Sequence, residues 1–224
     1  MSEEQIKVTL IDSMGTDLSI VNAARVSFGK TSEFVNQADW FWGDQGILKD
    51  QDSRLLKYLA KHKHMSPFGH VFLSFHIKAP IFVARQLVKH KFLRWNEISR
   101  RYVDDEPEFY TPNAWRGRSA DKKQGSEGEV NPEFNPQYLD SEIKAAYFKA
   151  LEFGVAPEQA RMLLPQSTMT EWYWSGSLDA FTDMCRLRVK EDTQKETRFV
   201  AERVYEELKK QFPVAAPLLV EGVL

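Results

Sequence analysis

The sequence predicts a single α+β domain, a central antiparallel sheet flanked by helices, with more helix than strand. Three observations carry this. The stretch HVFLSFHIKA alternates, with Val71, Leu73, Phe75 and Ile77 on one face and Phe72, Ser74, His76 and Lys78 on the other. That period of two marks a half-buried strand. Other stretches repeat at helical spacing: in SRLLKYLAKH, between Asp52 and His62, Leu55, Leu56 and Leu59 fall on one side. Finally, no internal repeat or clear linker divides the 224 residues, so one domain is expected over 1–224.

Taken in order, IKVTLID near the N-terminus reads as a strand, and AARVSFGK follows within a short helix or turn. After the helix ending near His62 and the alternating strand, Pro80 stands where a helix favours proline, at its first position. The helix IFVARQLVKHK then places Arg85, Gln86, Lys89 and His90 on one arc and Ile81, Ala84, Leu87 and Val88 on the other. A polar segment, FLRWNEISRRY, comes next. Residues 104–137 are rich in Pro, Gly, Asp, Glu and Ser without periodicity, and predict a long surface loop or insertion. Helices return at SEIKAAYFKALEFG and at PEQARMLL, the latter with Pro157 at its start and Pro165 at its end. STMTEWYW reads as a strand. Ser177 fits as N-cap of LDAFTDMCRLR, and Thr193 with Glu196 has the spacing of a capping box opening a last helix to about Gln211.

Composition narrows the function. Hydrophobic residues make up 42% and charged residues 28%, ordinary for a globular chain with a core. A formal net charge of -2 excludes polyanion binding through bulk charge, so an anion site must be a local cluster. The single cysteine, Cys185, rules out an intramolecular disulfide and any multi-cysteine zinc site, and fits a reducing compartment. The opening MSEEQIKVTLID is too polar for a signal peptide, and no apolar run approaches the ~20 residues of a membrane span. A cytoplasmic, soluble protein is expected. His64, His70 and His76 recur every six residues with His62 nearby, but without companion cysteines or a carboxylate trio, so no metal site is expected.

The local cluster lies between Arg85 and Tyr102. There Arg85, Lys89, Lys91, Arg94, Arg100 and Arg101 stand against Glu97 alone. Such a patch needs an anionic partner or tolerates self-repulsion. Gln86, Asn96, Ser99 and Tyr102 add groups that orient polar ligands, and Phe92 and Trp95 can stack or pack. The plain alternative is a solvated basic helix end.

The segment KHKFLRWNEISRRY, Lys89 to Tyr102, resembles the signature of flavin-dependent thymidylate synthases: Arg-His-Arg, two residues, Ser, any, Asn-Glu, any, Ser, any, Arg-Tyr. His90, Asn96, Glu97, Ser99, Arg101 and Tyr102 match in register. Lys89 and Lys91 replace arginines and Arg94 replaces a serine. AARVSFGK, HKHMSPFGHVFLSFHIKAPIFVARQ, LPQSTMTEWYWSGSLDAF and RLR resemble further blocks of the family in the same order, so the similarity spans most of the chain outside 104–137.

The resemblance implies an enzyme that methylates dUMP to dTMP, with FAD as cofactor and NADPH and 5,10-methylenetetrahydrofolate as co-substrates. It also implies a homotetramer whose sites are shared between subunits. By position, Ser66, Lys89, His90, Lys91 and Glu97 would contact FAD, with His64 aligned near the flavin. Gln86, Lys89, Glu97, Ser99, Arg100, Arg101, Arg161 and Arg188 would contact dUMP. Arg188 is the implied catalytic residue, favouring N3-deprotonated uracil. Taken alone, Ser66 before Pro67 also reads as a cap, Arg161 as a solvated arginine, and Arg188 as a cation complementing a helix dipole. The flavin-free route to thymidylate uses a cysteine nucleophile. Cys185, between Met184 and Arg186 in an apolar helical stretch, reads instead as a buried core residue, so Cys185→Ser is expected to keep turnover. Two other readings stand beside this one: a catalytically silent flavin- or nucleotide-binding relative, and a nucleic-acid-binding module gripping phosphates with the basic stripe and stacking bases on Trp95, Phe92 and Tyr102.

Overall fold

Alternation decides the sheet. In the computed structural model, which describes residues 2–35, 46–120, 126–133 and 135–222, strands β1 (Lys7–Met14), β2 (Phe72–Pro80), β3 (Arg94–Glu97) and β6 (Met169–Ser177) form one antiparallel sheet in the order β1-β2-β6-β3. Leu73, Phe75 and Ile77 of β2 and Trp172 and Trp174 of β6 are buried on one face. Their neighbours Ser74, His76, Lys78, Glu171 and Tyr173 point to the other, where the Ser74 and Ser175 hydroxyls meet at 2.8 Å and His76 Nε2 lies 3.1 Å from Glu171. The chain is thus a single α+β domain with an antiparallel sheet flanked by helices.

The helices are α1 (Ser2–Gln5), α2 (Asp17–Arg25), α3 (Asp50–Lys61), α4 (Ile81–Leu87), α5 (Asp140–Glu152), α6 (Pro157–Ala160), α7 (Leu178–Arg188), α8 (Lys195–Gln211) and α9 (Ala215–Val220). Phe181 of α7 meets Phe75 edge-on at 5.1 Å and Trp174 at 5.3 Å, so α7 is keyed to the middle of the sheet. Such edge-to-face pairs stabilise by about 0.5–1.5 kcal/mol beyond the area they bury. Cys185 sits fully buried in the same core, its Sγ 3.7 Å from the Ala201 carbonyl of α8, and burial pushes its thiol pKa far up. The core reading of this cysteine is what the packing displays.

Three local expectations are corrected. Pro80 ends β2 with extended dihedrals and caps α4 rather than opening it. α4 then stops at Leu87, so Lys89, His90 and Lys91 lie in a turn and not along a helical arc with Arg85 and Gln86. The reason is tertiary: the chain must reverse so that β3, unmarked by alternation, can pair with β6. Phe92 makes the reversal with φ +66, a region non-glycine residues seldom occupy. Second, 104–137 is not structureless. Its described residues include a hairpin, β4 (Trp115–Arg118) with β5 (Ser126–Val130), and Phe109 bridges to Thr168; residues 121–125 and 134 lie outside the described residues. Third, α8 begins at Lys195 with Gln194 as N-cap, and no capping box forms. Arg116 Nη2 takes the Glu196 carboxylate at 2.8 and 2.9 Å, leaving the Thr193 hydroxyl to reach Leu187 O at 3.4 Å. A buried charge pair outcompetes a local cap. Ser177 holds the N-cap position of α7 as expected, although its side chain makes no capping bond.

Gly176 explains how the reversal is seated. A Cβ there would come 2.4 Å from Leu93 Cδ2 and 3.2 Å from the Phe92 carbonyl, so only glycine lets the turn before β3 press onto β6. Gly176→Ala is expected to cost about 1–3 kcal/mol through overpacking, lowering the melting temperature by roughly 2–4 °C per kcal/mol in a domain of this size. An unchanged melting temperature by scanning calorimetry would contradict the close approach.

Candidate active site

The turn after α4 and the C-terminus of α7 meet. Arg188, the last residue of α7, donates from Nε to His90 Nε2 at 3.0 Å and from Nη2 to the Gln86 carbonyl at 3.1 Å. α4 ends too early for that carbonyl to find a helical amide, so Arg188 serves as its partner and complements the helix C-terminus. The dipole role foreseen for Arg188 is thus exercised on a neighbouring helix. A guanidinium has five N–H groups; with two engaged, the rest of its fork remains for a ligand. His90 accepts through Nε2, so its own proton resides on Nδ1. Burial, reinforced by the positive Arg188, lowers its pKa from 6.5 to about 4. Burial also lowers that of Arg188.

Beside this contact lies a cleft of about 590 Å³ lined by Lys89, His90, Lys91, Arg186, Arg188 and Lys190 among others. Arg186 is paired with Asp183 at 2.7 Å. Among the described residues Lys89, Lys91 and Lys190 have no carboxylate partner within 4.0 Å. Five cations face one opening with a single carboxylate, Asp183, which pairs with Arg186, so the cleft carries a net positive charge. Gln86 adjoins it through the carbonyl that Arg188 holds. Its Nε2 donates to Gln194 Oε1 at 2.7 Å and to Phe82 O at 3.3 Å.

The remaining predicted residues sit elsewhere. Glu97 ends β3, where its carboxylate accepts from Trp95 Nε1 at 3.0 Å and Thr170 Oγ1 at 2.7 Å. Ser99 Oγ accepts from the Arg101 amide at 3.3 Å, which leaves its own hydroxyl proton for a ligand. Arg101 and Arg161 converge on Glu158: Arg101 Nε lies 3.8 Å from Oε2, and Arg161 Nε donates to the Glu158 carbonyl at 3.2 Å. Arg100 turns to Asp105, which takes its Nη1 at 2.7 Å. Ser66 is exposed at the start of the 3₁₀ turn Ser66–His70 leading into β2. Most of the expected residues therefore fall into two groups, one around Arg188 and one around Glu158, with Glu97, Arg100 and Ser66 apart from both. Among the described residues no hydrogen bond or ion pair joins them. Glu158, Gln194 and Lys190 were not foreseen: the first two act through partners far along the chain, and Lys190 was legible only as a further cation after RLR.

Among the described residues no group of His, Cys, Asp or Glu is placed to hold a metal ion, and no helix is long and apolar enough to cross a membrane. The sheet, its helical layer and the net-positive cleft define an α+β protein with a cationic opening at the end of α7.

Residues 9–214 match the family model described as thymidylate synthase complementing protein. The chain is 40% identical over 220 residues to the flavin-dependent thymidylate synthase of Thermus thermophilus, covering 97% of this chain and 76% of that one. It is also 40% identical over 218 residues to that of Treponema denticola, covering 93% and 76%. Among solved structures, the UMP/dUMP methylase PolB from Streptomyces cacaoi bound with 5-Br dUMP superposes with a TM-score of 0.81 at 28% identity, over 97% of this chain and 95% of that one. The chain belongs to the flavin-dependent thymidylate synthases, an enzyme family that uses FAD, with NADPH and methylenetetrahydrofolate as co-substrates.

The Arg188–His90 contact has a titration signature. Between pH about 6.5 and about 4 the unfolded chain takes up a proton at His90 that the folded chain refuses. The stability held at this residue is therefore present above that window and lost as pH falls through it. Histidine NMR titration should find His90 titrating near 4 in the flavin-free protein, and higher in Arg188→Ala. A wild-type value near 6.5 would contradict the contact.

Proposed function

We propose that this chain converts dUMP to dTMP, with methylenetetrahydrofolate as one-carbon donor and NADPH as source of reducing equivalents. The observation that carries this is the cleft where Lys89, Lys91, Lys190 and Arg188 face a single carboxylate, Asp183, already paired with Arg186, in a chain of this family. Its donor set suits a pyrophosphate: cations, plus a neutral His90 whose Nδ1–H can donate. Lys89, His90 and Lys91, with Ser66 and Glu97, would hold FAD, which supplies the redox chemistry when bound. Lysines act there as point charges in place of an arginine's planar fork.

For dUMP, the proposed contacts are Gln86, Lys89, Glu97, Ser99, Arg100, Arg101, Arg161 and Arg188. Ser99 and Arg101 offer a hydroxyl and a guanidinium to the 5′-phosphate. Arg188 is the proposed catalytic residue. A guanidinium stays protonated, so at uracil N3 and O4 it stabilises negative charge developing on the ring without exchanging its own proton. Its bonds to His90 and to the Gln86 carbonyl hold it in place before substrate arrives. Cys185 is too buried, and its thiol pKa too high, to act as nucleophile.

The two groups of contacts favour a homotetramer in which one subunit's Arg188 group faces another's Arg101–Arg161 group. Tyr102 and Met162, neighbours of those arginines, are 76% and 78% exposed, apolar surface of the kind an interface covers. The protein is expected in the cytoplasm, free of membrane and nucleic acid. The second reading, a silent relative, is favoured by Lys89 and Lys91 standing where the family has arginine and Arg94 where it has serine.

Tritium release from C5-labelled dUMP separates the two readings. The protein should purify yellow and release tritium; Arg188→Ala should keep the flavin absorbance and lose release by at least ~100-fold, the scale of removing one charge-stabilising donor. Cys185→Ala should retain turnover. Normal release in Arg188→Ala would remove the assignment of that residue, and none in the wild type would favour the silent relative.

A further inference from the structure

Gln86 and Gln194 are linked by a 2.7 Å hydrogen bond across 108 positions of sequence. The orientation of both amides follows from a group that has no choice. Gln86 Nε2 lies 3.3 Å from the Phe82 carbonyl, which can only accept, so the nitrogen of Gln86 must face it. The same nitrogen faces Gln194, whose oxygen must therefore face Gln86. With both amide protons taken, Gln86 can offer a ligand only its Oε1 acceptor, and that oxygen has no donor among the described residues. The contact to Phe82 is long, whereas the one to Gln194 is short, so Gln194 sets the geometry.

Gln194 is itself held. It is the N-cap residue of α8, yet its side chain makes no capping bond and is free for Gln86. Two residues on, Glu196 is 5% exposed and bound by Arg116 of β4, whose Nε also donates to Ser126 of β5 at 2.7 Å. The hairpin thus clamps the first turn of α8 and, through it, the position of Gln194. A second cleft, about 430 Å³, opens between hairpin and helix, with Phe82, Trp115, Arg116 and Gln194 on its walls.

We propose that Gln194, anchored by the Arg116–Glu196 pair, is a positioning residue that fixes Gln86 to present a hydrogen-bond acceptor to a sugar hydroxyl of the nucleotide. This rests on the reading of Gln86 as a dUMP contact. Because Gln194 acts through Gln86, the two substitutions are not additive. Steady-state kinetics on the FAD-loaded enzyme with saturating co-substrates tests it. Gln194→Leu should raise KM for dUMP about 3- to 10-fold, the scale of one lost hydrogen bond, with kcat within about twofold. Gln194→Glu, which keeps an acceptor, should restore KM to within about twofold of wild type. Gln86→Leu should raise KM, and adding Gln194→Leu should raise it no further. A raised KM in Gln86→Leu beside an unchanged one in Gln194→Leu, or fully additive effects in the double variant, overturns this inference alone. An unchanged KM in Gln86→Leu overturns the assignment of Gln86 and this inference with it.

Discussion

One guanidinium joins the parts of this site. Arg188 closes α7, yet its hydrogen bonds run to His90 in the turn after α4 and to the backbone of Gln86 at the end of α4. α7 is keyed to the sheet through Phe181 between Phe75 and Trp174. The position of the cationic turn is therefore referred back to the centre of the core. Without that link, Lys89, His90 and Lys91 would be an exposed connection with only Phe92 in its strained conformation and the Gly176 contact to shape it.

The electrostatics follow from the same link. Partial burial and a positive neighbour keep His90 neutral, so it enters the cleft as a hydrogen-bonding group and not as a further cation. The charge is left to Arg188 and to lysines without carboxylate partners. Mutual repulsion among them would be relieved by a bound anion, which would stabilise the turn. Lysines carry the charge on flexible stems, so an anion held by Lys89 and Lys91 is fixed less by direction than one held by arginine forks. The directional donors at this opening are Arg188 and His90.

Much of this was legible beforehand, and the failures share a cause. Strands β2 and β6 were readable because Leu73, Phe75 and Ile77, like Trp172 and Trp174, alternate against polar neighbours on a sheet with one buried face. The charge cluster at 85–102 was equally plain, since it stands out in a chain with little net charge. What the residues of α4 could not reveal was its end, because that is imposed by β3 pairing with β6 about 80 positions away. The hairpin escaped notice because Arg116, Gly117 and Arg118, like Glu127, Gly128 and Glu129, have no apolar alternation. Glu196 has the spacing of a local cap, but its partner Arg116 lies 80 residues earlier, beyond the reach of local pattern. The individual chemistry was readable, while the pairings that orient it were set by the fold.

The central claim is that the Arg188 group and the Arg101–Arg161 group complete one another between copies of the chain. Co-expression of two differently tagged inactive variants, Arg188→Ala and Arg161→Ala, followed by isolation of hybrids carrying both tags, tests this most directly. Sites pairing the intact Arg188 of one chain with the intact Arg161 of the other should form dTMP well above the level of either variant alone. Hybrids as inactive as their parents would contradict the account.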